Sequence, residues 1–252
     1  DRSVKKAEIT ALRRRWADED VENLRAQLVV QSRIVKPPHT LTSRWAETDD
    51  GFVDLRGLVV GSDGLDIRFL ALERVDLSYV RGALTAFEAE MFNCRFEFAA
   101  LTSQQRLNRR FERCSFRGVT ASRLTIGPKV VDCDFTGMKA HRLRSVPNTL
   151  FERCAFDDSD LAGAEFADTA FVDCTFQSAR FSASTNFERC TFTRTDIEFS
   201  TARVSRSTSN GSTLRDQWEG KAQAVVALER HAVRYASAVE MGEEDNVSLD
   251  PF

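Results

Sequence analysis

Large apolar residues recur every five positions through the middle of this chain. Seven of them follow one another in unbroken steps: Phe151, Phe156, Leu161, Phe166, Phe171, Phe176 and Phe181. A smaller residue stands two positions before most of them, as Cys154 does before Phe156. An amphipathic helix would return about every 3.6 residues, and a half-buried strand would alternate. Two inward residues in every five, with a turn between them, instead predict a coil with four short flat faces.

A coarser repeat is superimposed on the five-residue one. All six cysteines occupy the same motif, in which an apolar residue stands three positions before the cysteine and a phenylalanine two positions after it: Cys94, Cys114, Cys133, Cys154, Cys174 and Cys190. Their spacings are 20, 19, 21, 20 and 16 residues. A period near twenty is typical of a solenoid in which each repeat is one coil. With coils about 4.8 Å apart, residues 53–202 predict about seven coils in a rod about 35 Å long.

Two irregularities interrupt the repeats. The final spacing of 16 lacks nearly one five-residue step, so we expect Cys190 to lie one face away from the column of the other five cysteines. Arg106 falls where a Leu or Phe is expected, so the face near residues 102–108 is predicted to be distorted or looped out.

Both flanks of the repeats are predicted to be helical. A first helix is expected over residues 3–16, and Asp18 or Asp20 is expected to cap a second one with the apolar stripe Val21, Leu24 and Leu28. After the repeats, another apolar stripe follows helical intervals: Leu214, Trp218, Val225, Leu228 and Tyr235. Terminal helices would cap strand edges that otherwise aggregate. The C-terminal helix could alternatively form a homodimer.

Three consecutive repeats carry a family resemblance: Cys154-Ala-Phe156-Asp-Asp, Ser159-Asp-Leu161-Ala-Gly and Ala164-Glu-Phe166-Ala-Asp. On these residues the chain resembles the pentapeptide repeat proteins. The resemblance implies a mainly β fold, a right-handed quadrilateral parallel β-helix solenoid, to which we add flanking N- and C-terminal α-helices. The expected parts are a helical region and cap (1–50), the repeats (53–204), a linker (205–211), an amphipathic helix (212–241) and a tail (242–252).

Composition fits a dry and repetitive interior. Hydrophobic residues make up 42% of the chain and include 19 Phe against 2 Tyr and 3 Trp. Phe fills space without a polar group that needs a partner. The net charge of −3 is no reason to expect direct binding to nucleic acid or to an anionic membrane.

The ends and the cysteines bear on where the protein acts. No apolar run approaches the roughly 18 residues of a membrane span. No signal peptide opens the chain, and its first residue is Asp1, as in a trimmed chain. Because no two cysteines form a Cys-x-x-Cys pair, we expect reduced thiols and a cytoplasmic location.

The residues that could carry chemistry are better explained by packing. A disulfide or a metal site is the alternative for the stacked cysteines, but zinc ligands usually come at short paired spacings, often with His. Flanked by Phe, these cysteines would act as small hydrophobes. His39, His141 and His231 are scattered, without the partners of a nucleophilic triad. We therefore predict no enzymatic activity, no catalytic residue, no metal and no cofactor.

Charge is the more informative property of the predicted surface. The residues before the last five cysteines alternate in sign, which predicts a ladder of salt bridges between coils: Arg113, Asp132, Arg153, Asp173 and Arg189. Residues 87–150 hold 11 Lys/Arg against 6 Asp/Glu, whereas residues 151–202 hold 4 against 10. The candidate basic patch is Arg106, Arg109, Arg110, Arg117 and Arg123. The candidate acidic patch is Asp157, Asp158, Asp160, Glu165 and Asp168. A simply solvated surface is the alternative.

Three functions are compatible with these patterns. The leading hypothesis is a non-enzymatic interaction module, an adaptor, immunity or regulatory protein, which binds a protein partner through the charged faces of a rigid solenoid. The resemblance implies an alternative, a DNA mimic that binds a type II topoisomerase such as gyrase as inhibitor or protector. However, residues 87–202 hold 15 basic against 16 acidic residues, whereas a duplex carries a charge about every 1.7 Å. The third is a structural spacer.

Overall fold

The computed structural model describes residues 2–61, 63–102, 105–199, 201–211 and 214–215. Two helices open the chain, α1 (Arg2–Arg14) and α2 (Asp18–Gln31). The strands that follow are β1 (Val53–Asp54), β2 (Leu65–Asp66), β3 (Ala71–Glu73), β4 (Val75–Asp76), β5 (Arg81–Gly82), β6 (Leu84–Phe92), β7 (Ala100–Leu101), β8 (Gln105–Glu112), β9 (Thr120–Ser122), β10 (Leu124–Val131), β11 (Lys139–His141), β12 (Arg144–Ser145), β13 (Leu150–Glu152), β14 (Glu165–Ala167), β15 (Ala170–Val172), β16 (Asn186–Glu188), β17 (Thr191–Thr193), β18 (Ile197–Glu198), β19 (Arg203–Ser205), β20 (Thr208–Asn210) and β21 (Leu214–Arg215).

Helix α2 covers the first coils with its apolar stripe, and the stripe residues Val21, Leu24 and Leu28 are buried as predicted. Ala17 holds the N-cap position, and Asp20, one of the two residues predicted to cap the helix, lies at N3 of a capping box. Asp20 still satisfies the helix start, because its carboxylate accepts a hydrogen bond from the Ala17 N–H at 2.8 Å.

The segment after α1 is tied to the first coil by Arg15 and Trp16. Arg15 forms a bidentate ion pair with Asp54 at 2.6 and 3.0 Å, and the Trp16 indole N–H donates to the Arg56 carbonyl at 2.8 Å. Burial opposes ionisation of Asp54, but hydrogen bonds from Arg56 and Arg15 outweigh it and hold the pKa of this carboxyl well below its usual range. The N-terminal segment therefore packs against the coils through buried charge as well as apolar contact.

Four columns of backbone-paired residues run along the molecule, with one residue from each coil. The first column has eight members: Asp54, Asp76, Arg95, Ser115, Asp134, Ala155, Thr175 and Asp196. The second column passes through Thr120 and Lys139, the third through Arg106 and Thr125, and the fourth through Lys129. All these pairings are parallel, as in stacked coils. The fold is a parallel β-solenoid of about eight coils, with two short helices at its N-terminus.

Residues in the left-handed conformation turn the chain between strands. Among the residues that the structure describes, twenty non-glycine residues have φ between 45° and 120°. One of them is Arg153, at φ 50°, which directly precedes the inward Cys154. This conformation costs an ordinary residue about 1–2 kcal/mol. Packing of the adjacent inward residues and pairing along the columns offset that cost.

Stacked phenylalanine rings fill the core. One stack joins successive coils with ring centroids 4.8, 4.9, 4.8 and 4.7 Å apart: Phe96, Phe116, Phe135, Phe156 and Phe176. Beside it runs the predicted column of five buried cysteines: Cys94, Cys114, Cys133, Cys154 and Cys174. All six thiols of the chain are free.

The prediction for Cys190 is confirmed. The pairing of Ala170 with Thr191 places Cys190 over Thr169, which lies one five-residue step before Cys174. Thr195 instead continues the cysteine column, because its hydroxyl oxygen accepts the Cys174 N–H at 3.2 Å.

The face around Arg106 is extended and not looped out. Strand β8 pairs with β10 at eight consecutive positions, with Leu107 buried in the inward place and Arg106 exposed. The distortion lies on the other side of β8, where its pairing with β6 shifts register between Ala86 and Ala89. Strand β8 is thus longer than most strands of the solenoid, and Leu107 supplies the inward apolar side chain that Arg106 does not.

The solenoid continues through residues 205–211, which we expected to form a linker. Strand β20 pairs in register with β17, and β21 pairs with β18. Leu214, the first residue of the predicted C-terminal stripe, therefore lies in a strand. The other stripe residues, Trp218, Val225, Leu228 and Tyr235, lie outside the described residues, as do most of the predicted helix and the tail.

Candidate functional site

One corner of the solenoid carries charges of alternating sign. We call this set the alternating column: Asn93, Arg113, Asp132, Arg153, Asp173 and Arg194. Arg153 binds Asp132 through two hydrogen bonds of 2.6 and 3.0 Å, and Arg194 binds Asp173 in the same way at 2.5 and 2.8 Å. The predicted salt-bridged ladder is therefore present along this corner.

The cysteine motif predicted Arg189 as the last residue of this ladder. The structure places Arg194 there instead. Because Cys190 is displaced by one five-residue step, the arginine before it moves to the neighbouring corner. There Arg189 binds Asp168 at 2.6 and 2.8 Å. Arg194, which precedes Thr195, occupies the vacated place above Asp173.

The ladder keeps its carboxylates ionised. A hydrogen bond from Arg153 holds the pKa of the Asp132 carboxyl below its usual range, and Arg194 does the same for Asp173. Both pairs are largely open to water, so each contributes modestly to stability. Their effect on the surface is larger, because they set a mosaic of paired charges.

The candidate acidic patch belongs to this mosaic. Three of its carboxylates are paired across coils: Asp160 with Arg180 at 2.8 Å, Glu165 with Arg144 at 3.0 Å, and Asp168 with Arg189. Asp157 accepts the N–H of Gln177 at 2.7 Å. Asp158 is an exposed residue at another corner, with φ 55°. The structure thus distributes the five residues over several columns.

The candidate basic patch is divided in a similar way. Arg106, Arg109 and Arg110 lie together on β8. Arg109 forms an ion pair with Glu90 at 2.7 Å, and Arg110 with Glu112 at 2.7 Å. Arg117 lies outside β8, where it pairs with Asp134 at 2.9 Å.

Arg123 lies at a third corner and stacks on a residue that the sequence analysis missed. Its backbone N–H donates to the His141 carbonyl at 3.0 Å, which places Arg142 on the next coil directly beside it. We call Arg123 and Arg142 the basic corner. The 19-residue separation of these two arginines, which equals the local coil length, was the signal in the sequence.

The repeat unit that builds these corners is visible in the burial of the side chains. Ten residues that alternate between steps of two and three are each at most 2% exposed: Cys154, Phe156, Ser159, Leu161, Ala164, Phe166, Thr169, Phe171, Cys174 and Phe176. The chain is a parallel β-solenoid with a five-residue repeat of inward positions. Its assignment rests on this burial pattern together with the four parallel columns.

Solved structures of pentapeptide repeat proteins are similar to this solenoid. One is a trypsin-treated variant of QnrB1, a plasmid-mediated fluoroquinolone resistance protein, which is 14% identical in sequence. The alignment covers 66% of this chain and 81% of the QnrB1 chain, with a TM-score of 0.27. A second trypsin-treated QnrB1 variant is 15% identical in sequence. Its alignment covers 65% of this chain and 96% of the QnrB1 chain, with a TM-score of 0.25.

A third similar structure is HetL, a pentapeptide repeat protein involved in heterocyst differentiation regulation from the cyanobacterium Nostoc sp. strain PCC 7120. It is 10% identical, covers 62% of this chain and 84% of that chain, and has a TM-score of 0.20. No protein-family model and no curated protein sequence matches the solenoid.

The α2 helix and the solenoid form one concave site between them. A cleft of about 430 Å³ lies between α2 and the second coil and is lined by side chains that include Arg25, Leu28, Val29 and Asp66. Within the described part of the chain, no three His, Cys, Asp or Glu side chains converge as metal ligands. None of the described helices is long and apolar enough to span a membrane.

Proposed function

We propose that this protein is a non-enzymatic interaction module, an adaptor, immunity or regulatory protein, which binds a protein partner through the charged faces of a rigid rod. The observation that carries the proposal is the display of charged side chains in fixed columns, exemplified by the bidentate pairs of Arg153 and Arg194. We further propose that the coils wind in a right-handed sense and that the rod has a quadrilateral cross-section. Its free thiols suit a reducing compartment, and we place its action in the cytoplasm.

Rigidity supports this proposal. The inner coils are paired in parallel with a coil on each side, and the coils from Phe96 to Phe176 are also joined by the phenylalanine stack, so we expect outward side chains to be held in place. A surface that is already ordered loses less conformational entropy when a partner docks. Charged groups across such an interface favour the matching partner and speed its encounter.

The alternative of a DNA mimic that binds a type II topoisomerase receives less support. A duplex-like surface needs an extended row of uncompensated negative charge. Asp160, Glu165 and Asp168 instead pair with arginines of adjacent coils. We propose that the C-terminal helix, predicted for the chain beyond strand β21, caps the rod or forms a homodimer.

Affinity capture tests the proposed function. The immobilised full chain is incubated with extract at about 0.1 M and about 0.5 M salt, and a triple variant with Arg123→Glu, Lys139→Glu and Arg142→Glu serves as the matched charge control. We expect a discrete protein partner that is retained at low salt, released at high salt and lost from the variant. Capture of no specific protein, combined with turnover of a small molecule by the chain, would contradict the proposal.

A further inference from the structure

The two arginines of the basic corner lack the carboxylates that this fold supplies elsewhere. In the alternating column, Arg153 and Arg194 each bind an aspartate of the preceding coil through two hydrogen bonds. Arg123 and Arg142 have the same left-handed backbone, with φ 57° and 60°. Among the described residues, neither of them forms an ion pair with a carboxylate.

The positions above and below the pair explain why. Above Arg142 the corner continues with Gly163, where an added Cβ would lie 3.5 Å from the Arg142 Cγ. The stem of Arg142 therefore lies against a residue that has no side chain. About one coil length before Arg123 in the sequence, residues 102–105 contain no Asp or Glu. Two like charges thus stack on adjacent coils, which is unfavourable unless another molecule supplies the counter-charge.

A neighbouring column adds one further positive charge. Thr125, two residues along the chain from Arg123, is paired on one side with Arg106 and on the other with Arg144, whose charge is matched by Glu165. Arg106 is exposed and, within the described part of the chain, makes no ion pair. No acidic residue occurs over residues 113–131 or 135–151. The basic surface spans about three coils, or roughly 10–15 Å.

We propose that the basic corner, with Arg106 beside it, binds an acidic segment of the partner protein by bidentate arginine–carboxylate pairs. This inference rests on the proposed function and names its binding site and partner chemistry. The guanidinium fork matches a carboxylate in two parallel hydrogen bonds, which a lysine cannot do. The corner geometry that seats Asp132 against Arg153 would seat a carboxylate of the partner against Arg123 or Arg142.

The length of the surface favours a peptide over a nucleic acid. Asp160 and Glu165 border it on the following coil, and Glu88 and Glu90 lie three coils below Arg144 in the adjoining face. A strand of phosphates that followed the rod would therefore meet carboxylates at both ends of the surface. A segment of a few acidic residues fits between them.

Fluorescence anisotropy with the full chain tests this site. The probe is a labelled peptide of six alternating Asp and Glu residues, measured at about 0.1 M salt. The double variant Arg123→Gln/Arg142→Gln should bind it about ten-fold more weakly. The control Arg203→Gln/Arg206→Gln removes the same charge from exposed arginines of the last coils and should change affinity less than about two-fold. Thermal melting verifies that each variant is folded.

Arginine-to-lysine variants separate geometry from charge. Arg123→Lys/Arg142→Lys retains both charges but loses the forks, and we expect an intermediate loss of affinity. No binding of the peptide to the unmodified chain, equal losses in the two glutamine variants, or stronger binding of a single-stranded oligonucleotide of equal charge overturns the inference. If the captured partner is retained by Arg123→Gln/Arg142→Gln, the assignment of the basic corner as the binding site is wrong, while the proposed function stands.

Discussion

Phe171 lies at the centre of the phenylalanine core. Its ring stacks on Phe151 and on Phe192 at 5.3 Å each and meets the edge of Phe166 at 5.3 Å. A substitution there removes buried apolar surface and leaves a cavity. We expect Phe171→Ala to lower the free energy of unfolding by about 3–5 kcal/mol.

The matched control is Phe98, which lies at a corner and is 50% exposed. Phe98→Ala should cost less than about 1.5 kcal/mol, because the ring loses mainly its stacking on Tyr79. Urea unfolding measures both free energies. Equal costs for the two variants would contradict the inward and outward assignments.

The buried thiols make a prediction about alkaline pH. Burial raises the pKa of Cys190 to about 12, whereas an exposed thiol has a pKa of about 8.5. Above pH 8.5 or so the unfolded chain loses this proton while the folded chain keeps it, so the stabilising contribution is present below that pH and falls as the pH rises towards 12.

Urea unfolding at pH 7, 9 and 10 measures this dependence. The unmodified chain should lose stability faster than a Cys190→Ala variant as the pH is raised. Parallel curves for the two proteins would mean that Cys190 titrates normally in the folded state. They would count against its placement in the core.

At the scale of elements, the alternating column predicts a charge rescue. Asp173→Arg would place three arginines on consecutive coils, and repulsion should lower the free energy of unfolding by about 1 kcal/mol. Adding Arg194→Asp restores an opposite pair and should recover part of that loss. The left-handed position accepts arginine, since Arg153 and Arg194 already occupy it.

A double-mutant cycle on these two substitutions provides the measurement and its own control. The coupling between the two positions should be favourable and should shrink as salt is added. Additive effects would show that Asp173 and Arg194 do not interact. Coupling of Asp173 to Arg189 instead would restore the ladder that the cysteine motif predicted.

Sequence reasoning identified the inward positions and the displacement of Cys190, but it did not carry that displacement over to the charged ladder. The five-residue spacing of Phe151 to Phe181 identified the inward positions without knowledge of the coils. The partner of Asp173 depended on how many residues the last full coil contains, and the motif around Cys190 is the same whichever column it joins. Arg142 was missed because its 19-residue separation from Arg123 gains meaning only when the local coil length is applied to charged positions as well as to cysteines.

The boundaries of the solenoid were harder to predict than its interior. Residues 205–211 are rich in Ser, Thr, Asn and Gly, which is typical of a loop. Backbone pairing of β20 with β17 nevertheless continues the sheet, because pairing does not depend on an apolar side chain. The face near Arg106 was expected to be distorted or looped out because position 106 is not apolar. It is extended because the neighbouring residue, Leu107, supplies the inward side chain.

At the scale of the whole molecule, we propose that α2 protects one end of the rod. Leu24 lies on the buried face of this helix and is 3% exposed. Leu24→Asp buries an unpaired charge, which should detach the helix and uncover strand edges that pair with other chains. We expect self-association by light scattering. Asn23→Asp, one exposed position away, is the control and should leave a monodisperse protein. A monodisperse Leu24→Asp variant would argue against capping by α2.

The claim that the charged solenoid binds a protein partner is tested most directly by site-specific photo-crosslinking in cells. A photoreactive residue is placed at Ser122, beside the basic corner, or at Gln177, an exposed position at another corner. The account predicts one recurrent protein adduct from Ser122 that is absent after Arg123→Gln/Arg142→Gln and weak or absent from Gln177. No discrete protein adduct from either position would contradict it.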